Sequence, residues 1–234
     1  MKRTLTTCAV AARAIVWKLL LLLTVMAAAE IGLLRAFVWE KDFGDWLYVA
    51  HIKQVFGLGF LALTAVLSLQ GCDFGGGKLG YTLQRLPQGE RAVSLLWVMV
   101  HFAAYVVLWA AQVGLVLLFW NIYAQSPMTD GSRLELLVAC YRDNFLHRLL
   151  PMASVGSWIV NGLWLLSLSV QTVNVGWYQR RGRLGLWPLL GLCAWPFLWP
   201  GIQSLTTDTI WSLLFGAFLV GGLYLLLRRE PDEA

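Results

Sequence analysis

Six runs of mostly apolar residues, 15–37, 50–70, 93–121, 152–173, 186–203 and 209–227, limit what this chain can fold into more than any other feature. A helix rises about 1.5 Å per residue, so about 20 apolar residues cross a hydrocarbon core of roughly 30 Å. Lipid offers no partner to an open backbone N–H or C=O, so runs of this kind enter a bilayer as helices. Only 13% of the residues are charged and 59% are hydrophobic, with a mean hydropathy of +0.65, far from the balance of a water-soluble domain. The expected fold is all-α: a single polytopic membrane domain over 1–234 with about six transmembrane helices.

Two of the runs carry competing local signals. Pro196 and Pro200 stand where a helix would kink or end, so the fifth span is expected to be short or partly re-entrant. The N-terminus imitates a secretory leader, with Lys2 and Arg3, an apolar centre and the small residues Ala27 to Ala29. Apolar residues nevertheless continue from Ile31 to Trp39 after the lone Glu30, a length that suits a spanning helix.

Lys and Arg set the orientation. With the N-terminus inside, the inner segments hold Lys2, Arg3, Arg13, Lys18, Lys78, Arg85, Arg91, Arg180, Arg181, Arg183, Arg228 and Arg229, and the outer segments hold Arg35, Lys41, Lys53, Arg133, Arg142 and Arg148. This excess is what the positive-inside rule expects of a cell-membrane protein with both termini in the cytoplasm. The formal charge of +5 is then a feature of topology, and nucleic-acid binding is not expected. The cysteines, Cys8, Cys72, Cys140 and Cys193, form no outer pair and no zinc-type spacing.

The most polar interruption is residues 75–92, GGGKLGYTLQRLPQGERA. A phosphate-binding P-loop would need glycine where Cys72 stands and Ser or Thr where Leu79 stands, so the motif fails twice and ATP binding by this chain is not expected. Gly75, Gly76 and Gly77 allow a sharp turn, and Leu79, Leu83 and Leu86 then recur at helical spacing beside Lys78, Gln84 and Arg85. The pattern predicts a short amphipathic helix on the inner surface, ended by Pro87, with a new helix carrying Glu90 in its first turn. On chemistry alone it could equally be an interfacial anchor with nothing docked on it.

In its place after the second of six spans, this loop resembles the membrane permease subunits of type-2 ABC transporters, whose coupling helix often reads Y-T-L-x-x-L-P before a polar stretch with Arg. The matching residues are Tyr81, Thr82, Leu83, Leu86, Pro87 and Arg91. The resemblance implies a transport subunit and not an enzyme, the membrane half of an exporter for a hydrophobic or amphiphilic cargo such as a lipid or peptide. Its partners would be a cytoplasmic ABC ATPase carrying ATP and Mg²⁺, a second copy or sister permease, and membrane lipids. This chain would hold no cofactor. The ATPase-coupling residues would be Lys78, Tyr81, Thr82, Leu83, Arg85, Leu86, Pro87, Glu90 and Arg91.

Elsewhere the sequence offers weaker signals. Segment 121–151 is the largest outer connection, and Leu134, Leu137, Val138, Tyr141, Phe145 and Leu149 predict an amphipathic helix on the outer leaflet or over the cavity. Glu30, Gln112, Asn121 and Asn161 are candidates for a substrate pathway, because polar groups inside a span are costly. Glu30 could instead pair with Lys53 or Arg35, and Gln112, Asn121, Asn161 and Gln171 could share a polar seam that only packs helices together. His101 reads as a hydrogen-bonded packing residue, and Trp17, Trp39, Trp46, Trp120, Trp177, Trp187, Trp199 and Trp211 as interface anchors. No HExxH, Gly-x-Ser-x-Gly or paired-acid motif suggests intramembrane catalysis. A non-catalytic scaffold or assembly protein remains the alternative to a permease.

Overall fold

A computed structural model describes residues 2–36, 42–69, 90–125, 133–152, 154–180, 185–199 and 205–228. Every regular element among them is an α-helix: α1 (Lys2–Ala36), α2 (Phe43–Val49), α3 (Ile52–Ser68), α4 (Glu90–Ala124), α5 (Arg133–Arg142), α6 (Asn144–Leu149), α7 (Val155–Arg180), α8 (Trp187–Leu198) and α9 (Leu205–Leu227). Parts of α1, α4, α7 and α9 are each long and apolar enough to cross a bilayer, and α2 with α3 supplies a fifth span if that bent pair is counted as one. The chain is a multi-pass helical membrane protein. At 12 residues, α8 covers only roughly 18 Å.

Side-chain contacts fix the helix directions. Met26 of α1 and Leu108 of α4 approach Gly59 of α3 at one level, and Glu30 meets Gln112 one turn further along both helices, so α1 and α4 run parallel. Phe60 of α3 stacks on Tyr105 of α4, and Phe56 meets Trp109, so α3 is antiparallel to α4. Tyr105 reaches Thr172 of α7 while Trp109 reaches Trp164, which makes α7 antiparallel to α4 as well.

The last three helices are ordered by α7, the most buried of the spans, whereas α1 and α9 are the least. Ser157, Ser167, Gln171 and Asn174 of α7 bond Asp208, Phe215, Phe218 and Gly222 of α9 in ascending order, so α7 and α9 are parallel. Two parallel helices in sequence need a return between them, and α8 makes it. Trp164 of α7 is level with Leu192 of α8, and Phe197 seats its ring on Gly57 of α3, where a Cβ would lie 2.6 Å from the ring.

Association of helices in lipid has no hydrophobic driving force and depends on close packing and hydrogen bonds. The α7–α9 seam shows both. Ser167 Oγ donates to the Phe215 carbonyl at 2.7 Å, Gln171 Nε2 to that of Phe218 at 3.0 Å and Asn174 Nδ2 to that of Gly222 at 3.0 Å. Such bonds contribute on the order of 0.6 kcal/mol each in a membrane. Gly222 permits the approach, since a Cβ there would sit 2.7 Å from both Gln171 Nε2 and Val170 Cγ1. Gly222→Leu is therefore expected to lower stability by about 1–3 kcal/mol, whereas Gly221→Leu, with nothing within 4 Å of its Cβ position, should be close to neutral. Denaturation of the detergent-solubilised protein by a graded mole fraction of SDS compares the two.

A proline explains the α7–α8 contact. Pro196 lies inside α8 and has no N–H to give the Leu192 carbonyl four residues back. Trp164 fills that vacancy: its indole Nε1 donates to Leu192 O at 2.9 Å from a fully buried position.

Several boundaries differ from the hydropathy reading. The second span gains the preceding helix α2 and bends by 56° at His51, which adopts a left-handed φ of 56°. The fifth is short, as the prolines imply. Among the described residues of segment 121–151, two helices follow α4, broken at Asp143, whose Oδ1 caps α6 by accepting from Leu146 N at 2.8 Å. The apolar stripe, expected on the outer leaflet or over the cavity, is divided between the surface and the core. Leu137, Val138 and Tyr141 are exposed, while Ala139, Cys140, Phe145, Leu146 and Leu149 are buried. Trp17 and Trp187 are open to the surroundings as interface anchors should be, but Trp46 and Trp199 are core residues at 3% exposure each. Trp46 stacks on Tyr123, and Trp199 stacks on Phe145.

Candidate functional site

The N-terminal end of α7 holds a buried ion pair. Arg148 lies at the end of α6, fully buried, and its Nη1 donates to Asp208 Oδ1 of α9 at 3.0 Å. Asp208 Oδ2 accepts from Ser157 Oγ at 2.8 Å and from Ser154 Oγ at 3.3 Å. Ser154 precedes α7 and also caps it, accepting from Ser157 N at 3.3 Å. Asn161, one turn further along, donates to the Arg148 carbonyl at 2.8 Å, satisfying a main-chain acceptor left open where α6 ends. The guanidinium also lies 5.7 Å from the Trp195 ring centroid of α8. One charge pair thus ties α6, α7, α8 and α9 at a single point.

Beside it, α2, α5 and α6 are joined more loosely. Arg142 pairs with Asp42 at 2.8 Å, but the arginine is 72% exposed, so solvent screens the contact. A Cβ on Gly44 would lie 3.0 Å from the Asp143 Cβ, so α2 rests directly on the break between α5 and α6. Burial raises the Asp143 carboxyl above its ordinary value, against the lowering effect of the Leu146 and Phe145 N–H groups and the Lys53 charge.

Deeper in the bundle, Gln112 Nε2 of α4 donates to Glu30 Oε2 of α1 at 3.1 Å, with both residues fully buried. No hydrogen bond or ion pair joins Glu30 to Lys53 or Arg35: the acid whose charge acts on Lys53 is Asp143, and Arg35 is exposed near the end of α1. A hydroxyl chain lies further along α4, at Thr64, Tyr105 and Thr172. Thr172 gives its hydrogen to the Leu168 carbonyl at 2.6 Å. Tyr105 must therefore donate to Thr172 across 3.0 Å, and Thr64 to Tyr105 across 2.9 Å.

The four intramembrane candidates are not brought into one seam. Glu30 and Gln112 pair with each other, and Asn161 bonds the main chain of Arg148 beside the ion pair. Asn121 is exposed and accepts from Gln125 at 3.4 Å. Gln171 is spent on the α9 backbone. His101 is buried with both ring nitrogens lacking a hydrogen-bond partner, and it packs edge-on to Trp97. Of the coupling segment, Lys78, Tyr81, Thr82, Leu83, Arg85, Leu86 and Pro87 lie outside the described residues. Glu90 opens α4, and Arg91 is exposed one residue later.

The sequence reading missed the ion pair. Arg148 and Asp208 are 60 residues apart, and each reads as an ordinary outer-face charge. The available signal was the spacing of Ser154, Ser157 and Asn161, which puts three polar side chains on one face at the start of a span. Among the described residues no group of three His, Cys, Asp or Glu side chains could hold a metal ion. No family model, no curated protein and no solved structure matches this chain.

Proposed function

We propose that this chain is the membrane permease subunit of an ATP-driven exporter, moving a hydrophobic or amphiphilic cargo such as a lipid or peptide with energy from a separate ATPase. The observation that carries the reading is the parallel pairing of α7 with α9 around the returning α8. If α8 and its flanking residues complete a sixth crossing, both termini and the 70–89 loop lie on one face. The Lys and Arg bias makes that face cytoplasmic. A separate ATPase can reach only such a face. ATP and Mg²⁺ then belong to the partner chain, and residues 78–91 transmit its closure to α3 and α4, the helices on either side of the loop.

The interior is filled by Phe56, Phe60, Tyr105, Trp109 and Trp164. A cargo path therefore needs a second permease, a copy or a sister, beside this one. The filled interior is also the observation that favours a non-catalytic scaffold. The two readings separate on purification from native membranes in mild detergent through a C-terminal tag. The permease reading expects a P-loop subunit in stoichiometric amount and ATP hydrolysis that Arg85→Glu with Leu86→Asp lowers at least tenfold while the chain stays folded. A complex free of any nucleotide-binding subunit and of ATP hydrolysis would favour the scaffold.

A further inference from the structure

Glu30 and Gln112 present an unsolved balance of donors and acceptors. Both residues are completely buried, and one bond joins them, from Gln112 Nε2 to Glu30 Oε2. The other carboxylate oxygen, Glu30 Oε1, and the amide oxygen, Gln112 Oε1, are buried with no hydrogen-bond partner. An ionised Glu30 would thus be a full negative charge inside the bundle, held by one neutral amide, next to a second oxygen that also lacks a donor. Buried carboxylates are found paired with a cation or satisfied by several donors, and neither is present here.

Among the described residues, the groups that face Glu30 supply no counter-charge. From α4 the facing polar group is Gln112. From α3, the Gly59 surface meets Met26, one turn away on α1, and its neighbours Val55, Phe56 and Phe60 are apolar. His51, at the bend before α3, is exposed, and the acid whose charge acts on Lys53 is Asp143. Along α1 the closest basic residue is Arg35, five positions on and exposed. A metal cation would fit poorly, because hard cations take about six or more oxygen ligands and this pair has three side-chain oxygens, two of them unpartnered.

One hydrogen resolves the imbalance. We propose that Glu30 and Gln112 form an intramembrane proton-binding site, with the carboxyl group of Glu30 protonated in this conformation. The acid O–H supplies the missing donor, Gln112 Oε1 on the partner amide is the unpartnered acceptor open to it, and the amide N–H continues to donate to the other carboxyl oxygen. The proton comes from water and returns to it, with no other bond made or broken. The pair joins α1, one of the two least buried spans, to α4. Loss of the proton would leave a bare carboxylate between them, so deprotonation and separation of α1 from α4 are linked events. This does not depend on the permease reading, since no step uses the ATPase.

The test is infrared spectroscopy of the full chain, labelled with carboxyl-¹³C glutamate and reconstituted in phosphatidylcholine vesicles at pH 8. Of the six glutamates, the proposal expects one to keep the carbonyl stretch of a protonated acid at that pH. The band should vanish in Glu30→Gln, shift in frequency without vanishing in Gln112→Leu, and stay the same when sodium is replaced by choline. Should Glu30→Gln fail to assemble, the wild-type and Gln112→Leu spectra decide the matter. A wild-type spectrum with only ionised glutamates would overturn the proposal. So would a protonated band that neither substitution alters, or one that sodium abolishes.

Discussion

Asp208→Asn is expected to destabilise the protein by about 3–5 kcal/mol, because it strands a buried guanidinium. Arg148 is fully buried, and its Nη1 has Asp208 as its charged partner. The asparagine keeps the shape of the side chain but removes the charge. Arginine cannot lose its proton to relieve the cost. Arg148→Met should be milder than Asp208→Asn, since the remaining carboxylate keeps the Ser154 and Ser157 hydroxyls as donors. The double change Arg148→Met with Asp208→Leu removes both charges and should recover most of the loss, as isosteric apolar replacement of buried pairs often does. SDS titration followed by tryptophan fluorescence measures all three. A double variant as unstable as Asp208→Asn would show that the contact matters for shape and not for charge balance.

Trp164→Ala is expected to be about as damaging, at about 3–5 kcal/mol for truncating a fully buried aromatic side chain. The ring sits against Phe60 and Trp109, and its indole N–H satisfies the Leu192 carbonyl. Trp164→Phe keeps most of the packing and strands that carbonyl, so a smaller loss of about 1–3 kcal/mol is expected. Pro196→Ala restores a backbone N–H four residues beyond Leu192. In the Trp164→Phe background it should therefore recover part of the loss, while in the wild type it has no orphaned carbonyl to rescue. Equal effects of Pro196→Ala in both backgrounds would contradict this account of why Trp164 is there.

Much of the architecture was legible because hydropathy and length govern which segments enter lipid. The short α8 was legible too, since Pro196 and Pro200 limit it at the sequence level. Phe43–Val49 was not, because a seven-residue helix with an acid in its first turn resembles a loop until the aromatic side chains of α4 cover it. Periodicity revealed an apolar stripe in the outer segment but not which face meets protein. In a membrane protein an apolar face can just as well point outward, as Leu137, Val138 and Tyr141 do.

The polar residues show the same division. Glu30 stood out by composition alone, yet its partner lies 82 residues away, and nothing local distinguishes Gln112 from Lys53 as that partner. The Arg148–Asp208 contact depends on α6, α7 and α9 converging, a tertiary fact that neither residue's neighbours encode. The reading of residues 78–89 as a coupling helix rests on the sequence alone.

The central claim is that the chain crosses the membrane six times, so that both termini and the 70–89 loop share the cytoplasmic face. Membrane-impermeant maleimide labelling tests it most directly, using Leu79→Cys, Arg183→Cys and Gln203→Cys one at a time in a background with Cys8 and Cys72 replaced by serine. The account predicts labelling of positions 79 and 183 only in inside-out vesicles and of position 203 only in right-side-out vesicles. Labelling of 183 and 203 from the same face would make α8 a re-entrant hairpin, put the two termini on opposite faces, and contradict the arrangement on which the permease reading depends.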